Sequence, residues 1–116
     1  MSDKIKTGSK GENLAAEFLE RKGFTVVARN YRFNRGEIDL IVQRDNWLIF
    51  VEVKTRSSSN YGEPEDFVDG LKIKKMFEAA EDYIFRFNWQ GHVRFDVVSI
   101  KLGDTPEILL IEDAIN

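Results

Sequence analysis

A chain of 116 residues has the size of one ordinary domain, so a single core over residues 1–116 is expected, large enough to fold without covalent staples. It contains no cysteine, which excludes a disulfide framework and a zinc–thiolate site and fits a reducing, cytoplasmic setting; no signal peptide or bilayer-spanning run is read in it. The net charge of −3 argues against coating nucleic acid by bulk electrostatics, yet residues 1–36 carry eight Lys/Arg against four Asp/Glu and residues 37–69 three against eight. A basic first third beside an acidic stretch suits a phosphate backbone met with a divalent metal; ordinary solvated surface charge is the plain alternative.

Ser9-Lys10-Gly11-Glu12 has the form of a capping box, and Leu14, Ala15, Phe18 and Leu19 follow at helical spacing until Lys22-Gly23, which predicts a first helix over about residues 9–22. Thr25 to Phe33 mixes β-branched and aromatic residues and stops at Asn34-Arg35-Gly36, a strand followed by a turn. Glu37 to Gln43 alternates polar and apolar residues, Asp45-Asn46 interrupts, and Trp47 to Thr55 is β-rich throughout. These segments read as a hairpin whose second strand, apolar on both faces near its start, is central.

Ser57 to Gly62 reads as a polar loop, and Pro64 stands where a helix can begin, with Glu63, Glu65 and Asp66 near its positive end. Ile73, Met76, Phe77, Ala80, Tyr83, Ile84 and Phe87 then recur at the spacing of a long amphipathic helix, which Gly70 divides into an opening turn and a main body. Val93 to Lys101 is a further strand, Ile108 to Ile111 a short last one, and His92 falls in a loop. The order αβββαβ(β) predicts an α/β fold, a sheet flanked by helices, without internal repeat, low-complexity segment or linker.

Chemistry concentrates in the hairpin. With Asp45-Asn46 as a two-residue turn, strand partners have numbers summing to 91, so Arg44 meets Trp47, Ile41 meets Phe50, Asp39 meets Glu52 and Glu37 faces Lys54. Directly paired residues project to one side with Cβ atoms about 4.5–5.5 Å apart, which sets two like charges together on a face that also carries Ile41, Leu48 and Phe50. A divalent cation such as Mg²⁺ removes that conflict. Glu12 heads the stripe Ala15, Ala16, Leu19, and either adds a third carboxylate or bonds back to Ser9 in the capping box. Lys54 points to the same side as Glu52, where it can orient a water or stabilise charge on a phosphate, or simply pair with Glu37.

Gly8-x-x-Gly11-Glu12-x-x-Ala15-x-x-x-Leu19, Gly36-Glu37-Ile38-Asp39-Leu40, Phe50-Val51-Glu52-Val53-Lys54-Thr55-Arg56, Lys72 with Ala79-Ala80 and Tyr83, and Arg94-Phe95-Asp96-Val97-Val98 resemble, in order and over nearly the whole chain, the YraN family of bacterial proteins. That family is similar to the PD-(D/E)XK restriction-endonuclease-like superfamily, nearest to archaeal Holliday-junction resolvases. The resemblance implies an αβββαβ core with a central mixed sheet, Asp39 as the motif acid, Glu52 and Lys54 as the (D/E)XK pair, Glu12 as the helical acid, and the Val53 carbonyl as a further metal ligand. It implies Mg²⁺ or Mn²⁺ as cofactor, DNA rather than RNA as substrate, and a homodimer. Ile38, not proline, precedes Asp39. Arg56, Lys72 and Arg35 are candidate phosphate contacts, and Asp96 a structural or functional acid. The expected function is a divalent-metal-dependent nuclease acting on DNA, branched or structured DNA included; the alternative is a non-catalytic nucleic-acid-binding protein that uses Lys4, Lys6, Lys10, Arg29, Arg32 and Arg35 on phosphates.

Overall fold

β-Branched and aromatic runs separated by tight turns fill the middle of the chain, and they pair into one five-stranded sheet. The computed structural model describes the backbone of residues 3–57 and 70–115, and side chains from Lys10 onward. Its elements are α1 (Asp3–Arg21), β1 (Thr25–Phe33), β2 (Gly36–Arg44), β3 (Trp47–Arg56), α2 (Gly70–Arg86), β4 (His92–Lys101) and β5 (Glu107–Ile111), in the predicted order. The sheet order is β1-β2-β3-β4-β5; β3 and β4 are parallel and the other neighbours antiparallel, a mixed sheet. Parallel neighbours require a crossover, and α2 is its helix.

Local chemistry explains the turns. Phe33 pairs with Gly36 across Asn34 and Arg35, whose φ values of 49° and 71° are those of a type I′ hairpin, and Arg44 pairs with Trp47 across Asp45-Asn46 as the summed numbering requires. Each helix covers one face. Ala15, Ala16 and Leu19 of α1 pack on Leu40, Val42, Ile49 and Val51, while Ala79, Ala80 and Tyr83 of α2 pack on Ile41, Leu48 and Phe50. A small residue lets α1 descend closely onto β3: a Cβ on Gly11 would lie 1.8 Å from Thr55 Oγ1. At the far edge Asp96, buried on β4, takes both Nε and Nη2 of Arg94 at 2.9 Å and the Asp113 N–H at 2.9 Å, fastening the chain's last turn to the sheet. Asp96 therefore has a structural role.

Three expectations need correction. α1 begins at Asp3, not Ser9, because nothing between them stops a helix; Gly8 and Ser9 inside it cost about 1 kcal/mol or less apiece. Phe87 lies past the end of α2 and is exposed, where its ring rests against Tyr83 with centroids 4.5 Å apart. His92 is no loop residue: it opens β4 opposite Trp47 and stacks on that indole at 4.8 Å. The expected loop from residue 58 and the helix opening at Pro64 lie outside the described residues. No helix among the described residues is long and apolar enough to cross a membrane.

Candidate active site

The β2–β3 ladder holds its register from Arg44–Trp47 to Leu40–Val51 and ends there. Continued, it would pair Asp39 with Glu52 and Ile38 with Val53. Instead the Val53 N–H donates to Asp39 Oδ2 at 2.8 Å, so a carboxylate has replaced a backbone carbonyl as the acceptor. The β1–β2 ladder is interrupted at the same level: Arg29 pairs with Leu40 and Tyr31 with Ile38, but the pair between them, Asn30 with Asp39, is missing. Asn30 has φ 50°, a left-handed backbone inside a strand, which costs on the order of 1 kcal/mol and which asparagine tolerates better than most residues. β2 also changes face here. Ile38 and Ile41 both pack beneath α2, which strict alternation forbids for residues three apart.

Asp39 thus stands in an irregularity flanked by β1 and β3, and its neighbour across the gap is Glu52, only 5% exposed. The two carboxyl groups are near enough for each to shift the ionisation of the other. Burial, and next the bond to Glu52, push Asp39 from 3.8 up to about 8. Burial works against ionisation of Glu52 too, but the bonds from Asp39 and Lys72 and the charge of Lys72 prevail and lower it. Lys72, from the start of α2, reaches Glu52 Oε2 with Nζ at 2.9 Å. Lys54 bonds to Lys72, and burial together with that second cation brings Lys54 down to about 8, while Lys72 is held above its ordinary value against its own burial by Lys54 and Glu52. One end of the sheet therefore gathers two acids, one raised and one lowered in pKa, and two amines, one of them lowered to about 8.

Asp39, Glu52 and Lys54 come together as the sequence predicts, and Lys72, expected as a phosphate contact, joins them as the partner of Glu52. Glu37 does not face Lys54. The change of face at Asp39 turns it to Arg32, 3.5 Å away on β1. Glu12 cannot be a capping residue, since Ser9 lies inside α1. It sits on the α1 side beside Asn30, whose amide nitrogen, turned toward the acids, donates to Glu12 Oε1 at 3.2 Å and Glu37 Oε1 at 3.1 Å. Burial raises the Glu12 pKa, the Asn30 bond opposes the rise, and the nearby Glu37 adds to it. Among the described residues no three His, Cys, Asp or Glu side chains form a group placed to hold a metal, and Glu12 lies near enough for its charge to act on Asp39 and that of Glu52 to act on it. Arg56 ends β3 on the Glu52 and Lys54 side, half-buried, and Arg35 lies in the β1–β2 turn. Asn30 is the residue that sequence reasoning missed. An asparagine in the middle of an otherwise β-prone run was its one visible signal.

A mixed sheet covered by one helix on each face, with an acid–lysine cluster where three strands lose their pairing, defines the class: an α/β protein with a compact charged site at one sheet end. The chain belongs to the family described as Uncharacterised protein family UPF0102, which matches residues 11–100. A UPF0102 protein of Cytophaga hutchinsonii is 45% identical over 106 residues, covering 91% of this chain and 94% of that one. Its counterpart in Solibacter usitatus is 50% identical over 105 residues (87% and 79%), and that of Caldanaerobacter subterraneus 41% over 111 (95% and 89%).

Proposed function

We propose that this protein is a divalent-metal-dependent phosphodiesterase acting on DNA in the cytoplasm, branched or otherwise structured DNA included, with Asp39 and Glu52 holding Mg²⁺ or Mn²⁺. The observation that carries the reading is geometric: Asp39 and the buried Glu52 stand together where the strand ladders break, with Lys54 and Lys72 beside them. Lys72 at 2.9 Å answers the charge of Glu52, while burial disfavours ionising Asp39 next to it, and a dication held by the pair supplies the charge that Asp39 lacks. Mg²⁺ is commonly bound by only one or two carboxylates, its remaining positions being water and substrate phosphate, so the pair fits the ion without a third acid. The Val53 carbonyl leaves β3 on the same side as its N–H, toward the gap occupied by Asp39, and is a further oxygen for it.

When bound, the ion would acidify a water and draw charge from the phosphoryl oxygens. Lys54, half neutral near pH 8, exchanges a proton at Nζ and orients the attacking water. Lys72 neutralises charge on the phosphate, a role that its bond to Glu52 positions it for. Asn30, donating to Glu12 and Glu37, orients these two acids beside the pair. The resemblance to restriction-endonuclease-like resolvases supports the same assignment.

Purified protein incubated with labelled duplex, single-stranded and four-way-junction DNA should cut at least one of them with Mn²⁺ and none with EDTA, and Glu52→Ala and Lys54→Ala should not cut. Cleavage by those variants at the parent rate refutes it. A second reading, a non-catalytic nucleic-acid-binding protein, is favoured by one observation: Lys72 already neutralises Glu52, and the described residues offer no third acid. It expects binding that weakens steeply with salt, is indifferent to EDTA, and is accompanied by no cleavage.

A further inference from the structure

Beside the acid–lysine cluster a cleft of about 460 Å³ opens between the β1–β2 turn and the first turns of α2. Its volume falls in the range of small-molecule sites, roughly 300–1,000 Å³, and suits one nucleotide unit of a chain. Three cations, Arg35, Lys72 and Lys75, line it against one acid, Glu37. That acid is answered by Arg32 at 3.5 Å, and Lys75 has Glu78 no nearer than 4.0 Å. Arg35 pairs with no acid among the described residues. Lys72 forms the inner wall and ties the cleft to Glu52.

Two backbone features show that the cleft is built. A Cβ on Gly36 would lie 2.2 Å from the Lys75 carbonyl oxygen, so the turn is seated directly on α2 and the walls are fixed relative to each other. Arg35 occupies the second central position of a type I′ turn at φ 71°, where glycine is the usual residue because a side chain there is strained. Backbone strain thus accompanies a guanidinium that meets no acid among the described residues, set at the mouth of a cationic cleft. Exposed Leu71 gives the cleft an apolar wall, suited to a sugar or base edge and of no use to a free inorganic anion.

We propose that this cleft is a subsite for the phosphodiester adjoining the one that is hydrolysed, gripped by Arg35 and Lys75, with its sugar against Leu71. The assignment rests on the nucleic-acid reading of the neighbouring site. It names a strand path that leaves the acid–lysine cluster toward the β1–β2 turn.

Binding without turnover tests it. Anisotropy of a labelled single strand and a labelled four-way junction is followed in EDTA from 0.05 to 0.3 M salt. Each phosphate contact contributes about 0.7–0.9 to the slope of log K against log salt, so Arg35→Gly and Lys75→Ala should each lower the slope by nearly one and weaken binding about 5–8-fold at 0.1 M salt. Lys74→Ala, an exposed cation on the same helix outside the cleft, should change neither. Arg35→Gly should also melt about 2–5 °C higher, since glycine relieves the turn; Arg35→Asn, tolerated in the same conformation, checks the binding loss independently. Equal losses for all three sites would mean diffuse attraction, and unchanged binding by the Arg35 and Lys75 variants would remove the subsite while leaving metal-dependent cleavage intact. A parent that cuts nothing but shows the expected variant pattern would remove the nuclease and keep the cleft as a backbone-phosphate site only; a parent that binds no nucleic acid would remove both.

Discussion

Replacing Asp39 by asparagine separates its raised pKa from the geometry around it. Asparagine keeps an oxygen for the Val53 N–H and offers Glu52 an amide N–H where the protonated carboxyl now sits. In the parent, Asp39 is raised from 3.8 to about 8, so between those values the folded protein holds a proton that the unfolded chain has released. Its stabilising contribution is complete below pH 3.8 and is lost as pH rises through about 8. Between pH 5 and 8 the ceiling is three units at about 1.4 kcal/mol each, roughly 4 kcal/mol, and partial water access to the gap reduces this to about 2 kcal/mol. Lys54, lowered to about 8, has the opposite sense in a separate window: its contribution is present above 10.5 and lost as pH falls through about 8. In EDTA the parent should therefore melt roughly 6–10 °C lower at pH 8 than at pH 5, and Asp39→Asn should be nearly flat and the more stable of the two at pH 8. Manganese at a hundredfold over its Kd should restore about 2.7 kcal/mol to the parent at pH 8 and much less to the variant. Calorimetry from pH 5 to 8.5 decides the matter. A parent whose melting temperature is level or rising from pH 5 to 8, in parallel with the variant, would show that Asp39 is not raised and that the charge argument for a metal fails.

Gly11→Ala drives a methyl group into Thr55 Oγ1 and should cost about 2–3 kcal/mol by urea unfolding, with Thr55→Ala recovering part of it as a second substitution. Asp96→Ala removes the acceptor for Arg94 and for the Asp113 N–H and should cost about 3 kcal/mol, without changing metal binding at the opposite side of the sheet. Asn30→Gly retains the left-handed backbone and should leave stability within about 0.5 kcal/mol while weakening Mn²⁺ dependence of cleavage about 10-fold; equal Mn²⁺ titration curves would show that the amide positions nothing.

Periodicity was enough for the scaffold. The seven elements follow from β-rich runs, turn residues and two helical apolar stripes, and the register of the hairpin follows from Asp45-Asn46 alone, because a two-residue turn leaves one pairing. The site was legible to the extent that it obeys that register. Asp39 and Glu52 meet because their numbers sum correctly, and Lys54 follows Glu52 by the strand period of two. Glu37 was misplaced because the same rule, carried two residues further, crosses an irregularity that alternation cannot foresee. Ser9 misled for a different reason: a capping pattern is local, whereas the helix start depends on whether anything upstream ends it, and no residue from Asp3 to Gly8 does.

The irregularity itself has a cause in the charges. A carboxylate inside a continuous ladder would lie between two strands whose backbone groups are already paired, with no donor for its oxygens and no room for an ion. Interrupting both ladders at one level, by the left-handed Asn30 on one side and the missing Ile38–Val53 pair on the other, frees a backbone N–H for Asp39 and opens the gap in which Glu52 meets it. Backbone strain of about 1 kcal/mol at Asn30 is small beside the several kcal/mol of an unsatisfied buried charge. Restoring ordinary strand pairing would stabilise the sheet and abolish the site. Local departures of this kind are where functional sites are commonly found.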